Sequence, residues 1–345
     1  MIKSCASLIW YRIILMVLSA FVIFSCQQNS TEINISLAKN YPRWLMNDQY
    51  HTNQTSGITF LGQSEDGSIN FLLADDIGKI SRLIIKEDTV FNFSVIKFNN
   101  KVTEYFVDFP KLDFEEIFFD SYTQDVYITI EGNGENHLPY HGIFRLMFKN
   151  QDIYQDSVFR IEKLNFKPTE VFNNNLKTNI GYEGFTADEN YFYLGLENEQ
   201  TSEGDFSGHT LIRIADKKTL DIIKEVSTDT LGIVTICGLY SDENFSLWGI
   251  DRNSKKLFKL LFDEYFNIED LKFFEIKTVI PGYTNFEYIG SLESITIAVD
   301  RFILIVDDPW HTFFIPQDEI LNQVNETTRN NFKNFIPVIY KFVID

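Results

Sequence analysis

The sequence repeats itself five times, and that periodicity limits its fold more than any other feature. An apolar segment opening on a small or acidic residue recurs as Ser56-Gly57-Ile58-Thr59, Glu115-Glu116-Ile117-Phe118, Glu183-Gly184-Phe185-Thr186, Cys237-Gly238-Leu239-Tyr240 and Glu293-Ser294-Ile295-Thr296. Successive openings lie 59, 68, 54 and 56 residues apart.

Two further features follow in fixed order. An apolar strand ending in a carboxylate appears as Phe71–Asp75, Tyr127–Glu131, Tyr193–Glu197, Leu247–Asp251 and Ile303–Asp307. Next comes a strand with one central base: Arg82, Arg145, Arg213, Lys259 and Lys341. A fourth apolar strand usually completes the unit, as at Phe91–Phe98, Val158–Leu164, Leu220–Val226 and Leu271–Thr278. Four strands per unit is the pattern of a β-propeller blade. An all-β propeller is therefore expected, with five four-stranded blades favoured and six possible. A β-sandwich is the competing architecture. The last repeat stops after its third strand, so a segment ahead of the first repeat, Ile33–Leu37, is expected to close the ring and cover the exposed edge.

Residues 1–25 hold Lys3 and Arg12, no acid, and an apolar run from Ile13 to Phe24. That run is short for a span and suits a signal peptide. It ends at Ser25-Cys26, which resembles a bacterial lipobox. The expectation is a signal peptide over 1–25, then a lipidated (palmitate-type) N-terminus, tether and closing strand over 26–50. The propeller domain would then span 51–345. Cys26 would carry the lipid and anchor the chain to the cell envelope, with the outer membrane favoured, periplasmic or surface-facing. An uncleaved signal anchor with an incidental cysteine is the alternative.

Losing residues 1–25 would deepen the net charge from −19 to −21. Such a chain is a poor partner for nucleic acid or anionic lipid, so membrane contact is expected only through the lipid. Only Cys237 would remain as a free thiol, which excludes an intramolecular disulfide. It sits in an apolar run and reads as a core residue.

Inner strands run antiparallel to their neighbours, so the start of the first strand and the end of the second share one rim. The openings therefore meet the strand-end carboxylates there. The loops that follow are the most variable in length and hold His137, His141, His209 and His311. Crowded carboxylates must take protons, pair with bases or hold a cation. Hard cations favour oxygen donors, so Ca²⁺ is the expected ion. The candidate metal ligands are Glu115, Glu183 and Glu293, with Asp75, Asp251 and Asp307 in a second tier. Glu131, His137, Glu197, Arg252 and His311 are the candidate ligand-binding residues, and His141 and His209 the candidate acid–base residues. The longest loop holds Gln317–Phe335, which reads as one amphipathic helix able to cover part of the mouth.

At Ser56–Thr59, Tyr182–Thr186, Glu293–Thr296, Leu73–Asp76 and Gly195–Asn198 the chain resembles the phytase-like β-propellers (the group called "esterase-like activity of phytase") and the related SdiA-regulated propellers. The resemblance implies a propeller with an acidic, Ca²⁺-binding central face and phosphomonoester or other ester hydrolysis. The chain departs from that pattern at Ser56 and Cys237, and its rim is poor in bases, with Arg252 the clearest. No Gly-x-Ser-x-Gly elbow is present.

Three functions are compatible with these residues. The favoured one is a monomeric, lipid-anchored envelope propeller that binds a cation and a small ligand or envelope protein. The second is a Ca²⁺-dependent phosphoesterase. The third is a structural propeller that binds proteins through its sides.

Overall fold

The fold was obtained as a computed structural model, which describes residues 33–198, 210–299 and 302–344. Ile35–Ile344 forms one compact unit. Cys26 and His209 lie outside the described residues.

The chain is almost entirely strand. Two short strands come first, β1 (Ile35–Leu37) and β2 (Arg43–Trp44). A first sheet follows: β3 (Thr55–Gln63), β4 (Ile69–Asp75), β5 (Lys79–Lys86) and β6 (Val90–Phe98). The second is β7 (Asp113–Asp120), β8 (Asp125–Glu131), β9 (Gly142–Phe148) and β10 (Ser157–Lys163). The third is β11 (Tyr182–Ala187), β12 (Tyr191–Leu196), β13 (Leu211–Asp216) and β14 (Ile222–Ser227). The fourth is β15 (Gly238–Glu243), β16 (Ser246–Asp251), β17 (Lys256–Phe262) and β18 (Ile268–Glu275). A hairpin, β19 (Val279–Ile280) and β20 (Tyr283–Glu287), precedes the last strands, β21 (Leu292–Ile297), β22 (Phe302–Asp307) and β23 (Val338–Ile344).

Each sheet is an antiparallel meander whose innermost strand opens the repeat. The inner strands touch in the cyclic order β3, β7, β11, β15, β21 and back to β3. The described strands thus close into a propeller ring. The fifth sheet takes its outer strand from the N-terminal side. β1 pairs with β23 (Ile35↔Ile344, Leu37↔Phe342), and β2 continues along the same strand (Arg43↔Ile339). The outer strands β6 and β10 pair in parallel (Lys97↔Ser157, Phe98↔Val158), which joins the first two sheets edge to edge.

The core is divided among the spaces between sheets, so a strand must be apolar on both faces. β4 shows the consequence. Its Phe71 and Leu73 pack with Phe302, Leu304 and Val306 of the fifth sheet, while Leu72 and Ala74 pack with Phe114, Ile117 and Ile128 of the second. Each such Leu, Ile, Val or Phe side chain contributes roughly 1.5–3 kcal/mol on burial.

Segment 317–335 is not one helix. It forms Asp318–Leu321 and Glu326–Lys333, separated at Asn325, whose side chain accepts from Thr328 N–H and starts the second helix. Val324, between the two helices, and Phe332 of the second bury against Tyr288, Ile280 and Trp44. No residue of either helix lines the central cavity.

Candidate functional site

A recurring irregularity aims the acids. In four inner strands the register with the second strand slips at the repeat opening: between Thr55 and Gly57, Phe114 and Ile117, Tyr182 and Gly184, and Leu292 and Ser294. A β-bulge leaves the extra residue unpaired and re-aims its side chain. The extra residues are Ser56, Glu115 with Glu116, Glu183 and Glu293. Ser56, Glu115, Glu183 and Glu293 line a cavity of about 580 Å³ at the mouth of the ring.

Asp76, Asp113, Glu131, Glu197 and Asp308 join them there, with Lys111 and Arg252 the only bases among the described residues. Arg252 is heavily used. Its Nη1 lies 2.6 Å from Glu293 Oε2, and its Nη2 lies 2.9 Å from Glu197 Oε1 and 3.8 Å from Glu183 Oε1. Lys111 pairs with Asp113, which also accepts from Asn133 Nδ2 at 2.8 Å. Asp76 accepts from Ser56 Oγ. Ser291 Oγ donates to Glu293 Oε1 at 2.5 Å.

The electrostatics follow from burial and crowding. Burial, with repulsion from Asp76 and Glu131, pushes Glu115 well above the usual carboxylate range. Glu131 and Glu183 rise for the same reasons, the strongest repulsion coming from Glu183 and Glu197 respectively. Burial takes Glu197 up to about 8 although Arg252 pulls it down, and Asp76 up to about 7. Burial likewise pushes Asp308 up, helped by Asp76. Three of these acids keep a buried oxygen with no hydrogen-bond partner: Glu131 Oε1, Glu183 Oε2 and Asp308 Oδ1. Oxygens left this way are costly unless a proton or cation meets them. Three groups have donor atoms within 4.8 Å of one another: Asp76, Asp113 and Glu115; Glu131, Glu183 and Glu197; and Glu183, Cys237 and Glu293.

The structure sorts the sequence candidates. Glu115, Glu131, Glu183, Glu197, Arg252 and Glu293 line the cavity. The second-tier acids Asp75, Asp251 and Asp307 do not, because their own loops bind them. Asp251 accepts from Val234 N–H at 2.8 Å and from Thr235 N–H. Asp307 accepts from Tyr288 Oη at 2.5 Å and Ser291 N–H at 2.6 Å, and Asp75 from Thr55 Oγ1 at 3.0 Å. In the first and fifth sheets the next residue, Asp76 or Asp308, faces the cavity instead.

His141 is buried, and backbone groups hold its ring. Gly132 N–H donates to Nδ1 at 3.0 Å, so the proton sits on Nε2, which lies 2.7 Å from Lys177 O. His137 Nδ1 is 3.1 Å from that same Nε2. His311 Nδ1 accepts from Phe313 N–H. None of these three imidazoles lines the cavity. Cys237 is buried, and burial pushes its thiol well up, away from nucleophilic character.

The strand-three bases act between strands and sheets. Arg82 donates to Ile153 O at 2.7 Å, Arg213 to Glu225 at 2.9 Å, and Lys341 to Asp88 at 2.6 Å. The repeat's threonines stitch neighbouring inner strands. Thr59, Thr186 and Thr296 hydroxyls accept from Phe119, Ser241 and Phe60 N–H at 3.0–3.1 Å. Asp76, Asp113, Asp308 and Lys111, together with Trp310 at the lip, escaped the sequence reading. Only the doubled acids Asp75-Asp76 and Asp307-Asp308 offered a signal for any of them.

No protein-family model matches the chain, and no curated protein matches it by sequence. Solved structures resemble it in outline. The PQQ-bound aldose sugar dehydrogenase of Streptomyces coelicolor is 9% identical with a TM-score of 0.45, covering 91% of this chain and 99% of that one. A glucose dehydrogenase-type oxidoreductase of Thermus thermophilus is 8% identical with a TM-score of 0.43, covering 87% and 99%. Virginiamycin B lyase of Staphylococcus aureus is 13% identical with a TM-score of 0.32, covering 80% and 71%. The chemistry in those names belongs to those proteins.

Proposed function

We propose that this chain is an exported, lipid-anchored envelope propeller that binds a divalent cation in its acidic mouth, and a small ligand over that cation. One observation carries the reading: Asp76, Asp113, Glu115, Glu131 and Asp308 line one cavity, and Glu131 Oε1 and Asp308 Oδ1 are buried there with no hydrogen-bond partner. The donors are oxygens on rigid strand ends, and no described imidazole lines the mouth. That set suits Ca²⁺ better than Zn²⁺. Asp76, Asp113 and Glu115 would hold the ion, which would leave coordination positions for ligand oxygens. Calorimetric titration of the protein as isolated from cells and stripped with chelator is the test. Ca²⁺ binding that is lost in Glu115→Gln supports the reading; absence of Ca²⁺ binding sinks it.

A second reading, Ca²⁺-dependent phosphoester hydrolysis, draws on Glu197. It lines the cavity, one of its oxygens is held by Arg252, and it exchanges protons near neutrality, as general acid–base work requires. Glu197 would then take the part that the sequence suggested for His141. The cation would also have to mask the acids that repel a phosphate. Turnover of a phosphomonoester with Ca²⁺ but not with chelator separates this reading from simple binding.

A further inference from the structure

The mouth holds two kinds of acidic cluster, and they differ in what already neutralises them. The groups Glu183–Cys237–Glu293 and Glu131–Glu183–Glu197 share Glu183, and one guanidinium, that of Arg252, pairs with Glu183, Glu197 and Glu293 among them. Arg252 leaves the end of β16 and reaches across to acids of the third and fifth sheets. Its side chain is only 17% exposed. A planar fork held by carboxylates from separate sheets is a fixed charge, because moving it would strand several buried anions at once.

The group Asp76–Asp113–Glu115 has a different neighbour. Lys111 touches only Asp113 among these three, and its side chain is 41% exposed. Lysine is a compact charge on a flexible stem, so it can swing into solvent and leave the three carboxylates together. Unpartnered oxygens of Asp308 and Glu131, both at most 2% exposed, line the same cavity.

We infer that Arg252 is a tethered counter-cation that fills the second of two cation positions in the mouth, so that an external divalent ion enters only at Asp76–Asp113–Glu115. This inference rests on the cation-binding reading above and gives it a location and a stoichiometry. It also fixes what removing the guanidinium produces. The vacated position contains the Cys237 thiol beside Glu183 and Glu293, so it would accept a soft ion that the native site does not favour.

Calorimetry and ultraviolet absorption on the chelator-stripped protein, with Ca²⁺ and Cd²⁺ as probes, test this. The unaltered chain is expected to bind one Ca²⁺ and to show no cadmium–thiolate absorption. Arg252→Gln is expected to gain one Cd²⁺ with thiolate absorption. Arg252→Gln with Cys237→Ser loses that absorption, and Arg252→Lys stays at one ion. No added site in Arg252→Gln, thiolate absorption in the unaltered chain, or Ca²⁺ retained in Glu115→Gln each overturns the inference. If Arg252→Gln proves unstable, thermal melting replaces calorimetry. Cd²⁺ must then raise its Tm but not that of the double variant, and equal responses overturn the inference. A chain that binds no Ca²⁺ at all fails the cation-binding reading, and the Cd²⁺ result still judges the role of Arg252.

Discussion

Ser294 Oγ donates to Glu116 Oε1 at 2.7 Å, although 178 positions separate them. Ile58 N–H donates to the same hydroxyl at 3.0 Å, so the first, second and fifth sheets meet at one atom. The second position of the five repeats reads Gly57, Glu116, Gly184, Gly238 and Ser294. A Cβ at Gly57 would fall 2.7 Å from Ile117 N, so the glycine is what lets the flanking sheets approach. Ser294→Ala orphans the buried Ile58 N–H and takes one of two donors from Glu116 Oε1, which keeps Ile117 N–H at 2.9 Å; it is expected to lower unfolding free energy by roughly 1–3 kcal/mol. Burial pushes the Glu116 carboxyl well above its usual range. Glu116→Gln keeps the acceptor and should cost much less. Denaturant titration of both variants checks the pair, and a Ser294→Ala chain as stable as the parent would discard the lock.

Stability should fall as pH rises. Unfolded carboxyls lose their protons near pH 4, at roughly their ordinary values. Folded, Asp307 holds its proton to about 6, Asp75 and Asp76 to about 7, and Glu197 to about 8. Between pH 4 and 8 the folded chain binds more protons than the unfolded one, so this contribution is greatest at the acid end. His141 opposes it, because burial takes its imidazole down to about 4 and an unfolded imidazole charges near 6.5. Four carboxyls outweigh one imidazole. With chelator present, Tm should climb from pH 8 to pH 5, and Ca²⁺ should flatten the climb by replacing protons. A Tm that drops over that range contradicts this account of the mouth.

His141 should behave as a strut. Its ring joins the loop after β8 to the segment before β11 through Gly132 N–H and Lys177 O. His141→Ala should cost roughly 1–3 kcal/mol, chiefly by taking the ring acceptor from the buried Gly132 N–H. In NMR titration the ring should stay neutral until about pH 4. An ordinary titration near 6.5 would show that the ring is free.

Cys26→Ala should release the protein from membranes and abolish incorporation of labelled palmitate. Unchanged membrane partition would favour the signal anchor over the lipobox.

The sequence made some of this legible and hid the rest for definite reasons. Repeat spacing located the sheets, because each needs strands that are apolar on both faces, as in β4. The closing strand was visible as an alternation, and Ile35–Leu37 of that stretch pairs with β23. Ser56, Glu115, Glu183 and Glu293 reach the mouth through a bulge at the same place in four of the five repeats. Which strand-end acid points inward was not legible, because hydrogen bonds formed after folding decide it. Asp251 is claimed by Val234 and Thr235, whereas Asp308, one residue past Asp307, is left facing the cavity. Lys111 and Asp113 sit before the second repeat's opening and carry no repeated signal. The loop helices misled because Asn325 caps a new helix inside what periodicity alone joins.

Ile35 faces Ile344 across the β1–β23 pair. In connectivity terms the described ring is thus a circle with a single nick, and the nick lies between the third and outer strands of the fifth sheet. A nick can be moved. A short peptide joining 344 to 35, with new ends opened in the exposed turn at Glu65-Asp66, should yield a permuted chain with the same mouth. Every opening carboxylate would keep its neighbours, because none of them depends on where the circle is cut.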